Sequence, residues 1–496
     1  MIDKLAAYFA TRGIDAYLVG GYVRDWLLSA KPGRDIDIVV FGDAEAVAQG
    51  IVRAFGGTIV PLSPDHGVVR VVTHSDSGDS DQENVPWNID VGGATGGIED
   101  NLVRRDFTIN AIAVPLSDWR SSDAVIDTLG GRTDMANKTV RALSPTVFQD
   151  DPGRLLRAVR LAGQLKFRIE PGTSKQIAAD ALLLAGVSPE RVREEFLKIL
   201  SLDGAKGQLE VLDHFGLFEL VVPELQSAKG VDQPNMHYWD VWGHTMHTVE
   251  AAELVTKGHQ NSPIYSCVPW TPDSEAHFSR MATDGHTRRT VLKLAALFHD
   301  VAKPQTKSLD ATGRTRFFGH SEQGAEIAAS RLGQLRVGSK GIEMVGKMVE
   351  QHLRPTNMQN GEEWPTDRAV YRYFRDLGDV AIDTLYLCMA DYLAAKGPGL
   401  VHEDWLNHAR MMGHILHVGT SEPVSLTATR LVTGHDLMTH FNLQPGPKIG
   451  AVLEHVEEAQ AVGEIETKEQ ALEMASDLLK NMAGRPVLEM HRDRSD

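Results

Sequence analysis

Cysteine is nearly absent. Only Cys267 and Cys388 occur in 496 residues, far apart and outside any paired motif, so neither a disulfide framework nor a thiolate zinc site is indicated, and a reducing cytoplasmic setting is expected. Long apolar runs are missing too: none reaches the roughly 18 residues of a membrane span. The N-terminal MIDKLAAYFATRGIDAYLVGG breaks its apolar stretches with charge, so a soluble, unprocessed chain is expected. Positive charge is not in excess. A net charge of −17 excludes a protein that coats nucleic acid nonspecifically, yet leaves room for a local basic patch. From Lys138 to Lys198, 11 Lys/Arg against 7 Asp/Glu leave +4. No repeat of about 20–50 residues is visible, which excludes solenoids. What is present, 42% hydrophobic and 24% charged residues, is ordinary for a folded chain, and the length suits roughly three domains.

Up to Val114, short β-branched runs (AYLVGG, RDIDIVVF, GVVRVVTH, WNIDVGG, TINAIAV) alternate with turns and predict a small mixed sheet. From Asp151 onward the apolar spacing becomes helical, as in RLLRAVRLAGQLKF and ERVREEFLKIL, which puts a first boundary near Lys138. The polar HSDSGDSDQEN (His74–Asn84) reads as an exposed loop, and Gly258–Arg288 as an insertion in a helical region.

In RDIDIVV, strand alternation sets Asp35 and Asp37 on one face about 6.6 Å apart, with Ile36 and Ile38 directed to the core. Two carboxylates so placed can share divalent metals, which activate an attacking hydroxyl and stabilise a leaving pyrophosphate. Upstream, AYLV, Gly20, Gly21 and YVRDWLL read as strand, glycine turn and helix, offering N–H groups to a phosphate, with Arg24 in the first turn. GGYVRDWLL followed by RDIDIVV resembles the opening of the polymerase-beta-like nucleotidyltransferases that extend tRNA. Arg104 to Ala111 (RRDFTINA) resembles a second motif of that family, which implies that Arg105 and Asp106 hold the triphosphate and the ribose, with Asn110 in the same block. Asp90, in WNIDVGG, falls where the family places a third carboxylate.

Asp151 reads as an N-cap and Pro152 as the first residue of a helix. Three-residue spacing lines up Asp151, Arg154, Arg157 and Arg160 on one side, with Leu155, Leu156, Val159 and Ala162 left for packing. Cytosine and adenine each present an amino donor beside a ring-nitrogen acceptor, a pattern that an adjacent carboxylate and guanidinium can match; guanine and uracil present the wrong one. The block resembles the family's EDxxR motif, with Asp150 where Glu is usual, and this implies that Asp151 and Arg154 stand in for a template base. Ser188–Leu200 (SPERVREEFLKIL) resembles the next family motif and is expected to be a scaffold helix rather than a source of catalytic groups. Between Asp90 and Asp100 only VGGATGGIE intervenes, shorter than the flexible loop of many CCA-adding members, which the family associates with switching from CTP to ATP.

Farther on, His244, His299 with Asp300, His320, His352 and Asp391 resemble, in their order, the ligands of HD phosphohydrolases. Imidazole and carboxylate suit first-row divalent metals, which make water nucleophilic near neutral pH. The resemblance implies hydrolysis of phosphomonoesters or cyclic phosphodiesters. From Leu431 the chain is similar to the ends of HD-bearing family members. Thr467 and Gln470 form an expected capping box, Glu454–Glu466 an expected solvated face, and HRDRSD a frayed tail.

The expected architecture is α+β: a small mixed-sheet polymerase-beta-like head (1–138), then all-α parts, namely a neck (139–228), an HD domain (229–400) and a tail that contacts tRNA (401–496). The expected activity is template-independent addition of C and A to the tRNA 3′ end from CTP and ATP. Mg²⁺ is expected on Asp35 and Asp37, with Asp90 as a third catalytic carboxylate. Gly20, Gly21, Arg24, Arg105, Asp106, Asn110, Asp151, Arg154, Arg157 and Arg160 are the expected nucleotide-binding set, and a divalent transition metal is expected on the six HD residues. CC-only addition, poly(A) synthesis, and an HD hydrolase that uses its head as an RNA clamp remain open. Oligomeric state has no signal in the sequence.

Overall fold

The computed structural model describes residues 1–482 except 31–32, 64–66, 74–85, 235–236, 259–260, 360, 362 and 422–429; the polar stretch at 74–84 and the terminal HRDRSD therefore lie outside the described residues. The chain forms two compact units, Met1–Asp203 with Gly207–Val221, and Gly204–Lys206 with Val222–Asp496. Among the described residues no helix is long and apolar enough to cross a membrane.

The first unit is built on a six-stranded mixed sheet with β1 Ala16–Val19, β2 Asp35–Val40, β3 Thr58–Ser63, β4 Val68–Thr73, β5 Trp87–Gly93 and β6 Ala113–Pro115, in the order β3-β4-β5-β2-β1-β6. Only β2 and β5 run parallel; the other neighbours are antiparallel. Ile36 and Ile38 are buried as alternation requires, and Val19, Val39, Ala111 and Ala113 pack with Ile98 and Leu102 on one side of the sheet. Helices α1 Ile2–Ala10, α2 Gly21–Leu27, α3 Ala44–Phe55, α4 Ile98–Leu102 and α5 Gly131–Ala136 accompany the strands. Asp43 starts α3 by accepting the N–H groups of Glu45 and Ala46, which satisfies two orphan donors of the first turn.

The run TINAIAV is a strand only from Ala113. Thr108–Asn110 forms a 3-10 turn, because the Asn110 side chain is engaged by Arg24 and Asp106 and draws the backbone inward. Beyond the sheet come α6 Val147–Asp150, α7 Arg154–Leu165, α8 Pro171–Asp180 and α9 Pro189–Ser201. Leu155, Leu156, Ala158, Val159, Leu161 and Ala162 form the buried face of α7; each large side chain there contributes about 1.5–3 kcal/mol relative to exposure. The expected N-cap at Asp151 is corrected. The helix begins at Arg154, and Pro152 and Gly153 form a turn in which Asp151 Oδ1 accepts the Gly153 N–H at 3.1 Å.

The second unit is helical. Its centre comprises the helices Val241–Val255, Arg288–Phe298, His320–Gln334, Ser339–Gln351 and Ala381–Lys396. The described residues of the region 258–288 are built into this unit, where Phe278 stacks on Trp270 and meets Tyr386 edge-on, and His277 meets the buried Asp383. Three helices, Gly434–Phe441, Pro447–Ala461 and Lys468–Met482, share a core of Leu437, Val452, Val456, Ala459, Ala471 and Ala475. The last starts with the expected capping box: the Gln470 N–H donates to Thr467 Oγ1, and Gln470 Oε1 accepts the Thr467 N–H. The acidic run is a solvated face only in part, since Glu464 and Glu466 are exposed while Glu458 is not. Glu458 is buried and accepts from Arg372, while Glu454 and Glu464 pair with Arg375 and Arg368, so three charges of the run dock Pro447–Ala461 and the residues just after it.

Candidate functional site

Asp37 stands mid-strand on β2, level with Val19 of β1 and with Asp90 of β5. Two residue pairs away along the register, Asp35 accepts from Asn88 Nδ2 at 2.7 Å. Burial pushes the Asp37 carboxyl above its ordinary range; the Arg105 guanidinium opposes this, and the Asp90 and Asp35 charges add to it. A carboxylate cluster with that electrostatic cost fits a cation. The register then carries Asp90 to Arg70 of β4, whose Nε and Nη2 donate to both Asp90 oxygens at 2.7 and 2.8 Å. Arg70 was not anticipated; its only signal in the sequence is a lone charge within the β-branched run GVVRVVTH.

Gly20 closes β1 and opens α2 with φ 74°. A Cβ at this position would lie 2.7 Å from Asp37 Oδ2 and 2.8 Å from Arg105 Nη1, so only glycine lets the turn meet both side chains. Arg24 points inward: it is buried, and Nη1 donates to Asn110 Oδ1 at 2.7 Å. Asn110 Nδ2 in turn donates to Asp106 Oδ1 at 3.0 Å, and Asp106 Oδ2 forms an ion pair with Arg157 Nε at 2.6 Å. Although burial pushes Asp106 up, Arg157, Asn110 and the Phe107 N–H outweigh it and hold the carboxyl below its usual range. Arg24 and Asn110 thus fix Asp106, and Asp106 fixes Arg157.

These groups open on one cavity of about 320 Å³. Gly20, Gly21, Asp37, Arg105, Asp106 and Asn110 line it from the sheet, and Asp151, Arg154 and Arg157 from the neck. Arg104, Arg191, Glu194 and Glu195 line it as well, none of them anticipated as site residues. Arg24, Asp35, Asp90 and Arg160 do not line it. Arg160 is held by Glu195 Oε2 at 2.6 Å and Gln164 Oε1 at 2.8 Å. The helix read as a plain scaffold, α9, therefore supplies side chains to the cavity. Arg191 and the Asp151–Arg154 pair meet there, with Arg154 Nε 3.7 Å from Asp151 Oδ2.

In the second unit the six HD residues converge. His244 Nε2 lies 2.9 Å from Asp391 Oδ1 and 3.2 Å from Asp300 Oδ2, and His299 Nε2 lies 3.1 Å from the same Asp300 oxygen. The other oxygen, Asp300 Oδ1, faces His320 Nε2 at 3.4 Å and His352 Nε2 at 3.9 Å. Two ligand groups result, His244 with His299 and Asp391, and Asp300 with His320 and His352. The Nδ1 atoms of His299, His320 and His352 lie 2.7–2.8 Å from the carbonyls of Ala296, Phe317 and Val349, which directs each Nε2 lone pair to the centre. Burial, then the neighbouring His299, pushes the His352 imidazole down to about 4. His320 Nε2 and both Asp300 oxygens are buried without a hydrogen bond, a donor set that fits divalent cations. Lys303 Nζ, 2.6 Å from Asp300 Oδ2, was not anticipated.

Comparison with known proteins bears on both sites. The family model for the poly A polymerase head domain matches residues 16–141 and that for the HD domain matches 241–396. The A-adding tRNA nucleotidyltransferase of Deinococcus radiodurans is 32% identical over 466 residues, covering 92% of this chain and 94% of its own. The CC-adding tRNA nucleotidyltransferase of Thermus thermophilus is 31% identical over 464 residues, covering 92% of each. Among solved structures, the CCA-adding enzyme complexed with CTP shares the fold with a TM-score of 0.60 at 20% identity, over 96% of this chain and 94% of that one. A mixed-sheet polymerase head, helical HD domain and near full-length relatives agree: this chain is a nucleotidyltransferase and belongs to the bacterial tRNA nucleotidyltransferases that carry an HD domain.

Proposed function

We propose that the protein adds C and A to the 3′ end of tRNA from CTP and ATP, with the head (1–138) gripping the triphosphate, the neck (139–228) reading the base and the tail (401–496) contacting tRNA. The observation that carries this reading is that Asp37 and the Asp151–Arg154 pair open on the same cavity of about 320 Å³, so one bound nucleotide reaches both. Arg105 and Arg157 bind phosphate oxygens and hold the α-phosphate in line with the RNA 3′-hydroxyl. Asp106 orients Arg157 from one side while its place in the cavity leaves it beside the ribose. Asp151 accepts the exocyclic amine of cytosine or adenine, and Arg154 donates to the adjacent ring nitrogen. Asp35 and Asp37 would hold Mg²⁺, which when bound favours deprotonation of the attacking hydroxyl and neutralises the departing pyrophosphate. Arg70 holds both Asp90 oxygens in a two-point pair and so fixes the direction of that carboxylate.

The test is nucleotide addition to tRNAs ending at the discriminator base, at C and at CC, with Mg²⁺ and CTP, ATP or both. Completion of every end to CCA is expected; addition that never stops would instead mark a poly(A) polymerase. A second reading, partial addition of only CC or only A, is favoured by one feature: four residues, Ala94–Gly97, join β5 to α4. Relatives named for CC and for A addition support it equally. The HD site is a second active centre: its six residues would hold divalent transition metal, which when bound makes water nucleophilic, and phosphate release from phosphomonoesters or cyclic phosphodiesters tests this reading.

A further inference from the structure

We propose that Arg191 is the positioning residue that fixes Asp151 as an acceptor toward the base edge, and so sets the choice of cytosine over uracil and adenine over guanine. The inference rests on the reading that Asp151 and Arg154 select the base.

Asp151 follows α6 and precedes α7, where no regular helix dictates its side-chain direction. Its carboxylate is held from outside. Arg191 Nη2 lies 2.8 Å from Oδ1 and 2.9 Å from Oδ2, whereas Arg154 Nε stands 3.7 Å away. Arg191 sits in the first turn of α9, one helical turn before Glu195, whose 2.6 Å bond to Arg160 ties α9 to α7. The Arg160–Glu195 pair adds a polar tie between the two packed helices, and Arg191, one turn earlier on α9, reaches the Asp151 carboxylate.

A carboxylate offers about four acceptor positions. Arg191 takes one on each oxygen and the Gly153 N–H a further one on Oδ1, which leaves Oδ2 to accept an exocyclic amine. Uracil O4 or guanine O6 brought to that oxygen meets charge of its own sign. Burial by itself pushes the Asp151 carboxyl up; the Arg191 bond and charge, the Gly153 N–H and Arg154 together bring it below its ordinary range. Without Arg191 the carboxyl turns more freely and protonates more readily, and a protonated carboxyl donates to a carbonyl.

The experiment compares wild type, Arg191→Ala, Arg191→Lys and Asp151→Ala by kcat/KM for CTP against UTP and ATP against GTP on tRNA acceptors, with thermal unfolding alongside. Arg191 is 56% exposed at its side chain, so its loss is compatible with the fold. Arg191→Ala is expected to reduce selectivity about tenfold, equal to about 1.4 kcal/mol. The loss should lie mainly in KM for the correct nucleotide, grow as pH falls, and be partly restored in Arg191→Lys. Unchanged selectivity in Arg191→Ala alongside lost selectivity in Asp151→Ala overturns the positioning role alone. An equal fall in kcat for all four nucleotides marks Arg191 as merely structural and also overturns it. Unchanged selectivity in Asp151→Ala overturns the base-reading pair itself and the proposal with it.

Discussion

Gly20→Ala should disable nucleotide transfer while leaving a folded protein. The substitution acts in two separable ways. Gly20 has φ 74° and ψ −140°, a conformation that adds about 1–3 kcal/mol of strain to any residue with a Cβ. The added methyl would also stand 2.7 Å from Asp37 Oδ2 and 2.8 Å from Arg105 Nη1. A relaxed carbon–oxygen approach is about 3.3 Å, so the carboxylate must retreat by about 0.6 Å. Misplacement of a reacting group by about 1 Å lowers rates by as much as 10²-fold. A fall in kcat of roughly 10- to 100-fold is therefore expected. Gly13 provides the control: its φ is 64° but nothing lies within 4 Å of its would-be Cβ, so Gly13→Ala carries backbone strain alone. That variant should lose about 1–2 kcal/mol of stability and keep its kcat. Steady-state addition to tRNA and thermal unfolding, run on both variants, separate the two effects. Wild-type kcat in Gly20→Ala, or an equal loss of kcat in Gly13→Ala, would refute the reasoning.

Asp37→Asn is expected to abolish transfer yet raise the melting temperature slightly, since a carboxylate whose pKa is raised on folding opposes folding when ionised; a destabilised variant would show that Asp37 is held by attraction instead. Asp106 is shifted the other way, so its contribution is complete above the unfolded value near 3.9 and disappears as pH falls through its lower folded value. Thermal melts from pH 7 down to about 2 should show a lower plateau and a shallower acid limb in Asp106→Asn, and an unaltered limb would count against the Arg157 pair as its cause. In the HD centre, Co²⁺ titration followed by visible absorption should saturate at fewer ions in His320→Ala than in wild type, with nucleotide addition unchanged in both; equal saturation would dismiss His320 as a ligand.

Local chemistry was readable wherever neighbours in sequence are neighbours in space. Alternation in RDIDIVV put Asp35 and Asp37 on one face, three- and four-residue spacing marked the buried side of α7, and Thr467 with Gln470 announced a helix start. The same local reading erred where a distant side chain took over. Asn110 was assigned to a strand, but Arg24, 86 residues away, and Asp106 draw it into a turn. Glu458 was assigned to solvent, but Arg372 reaches it.

The sequence by itself determined the ingredients: paired aspartates, a glycine turn, a carboxylate beside a guanidinium, and histidines and aspartates in order. Tertiary structure decided which of them meet. Parallel pairing of β5 with β2 sets Asp90 beside Asp37, and antiparallel pairing with β4 gives Asp90 to Arg70. Packing of α9 against α7 hands Asp151 to Arg191, 40 residues away in the chain. Strand order and helix contact are fixed by burial of apolar faces summed over the whole unit, a nonlocal free energy that no window of a few residues contains.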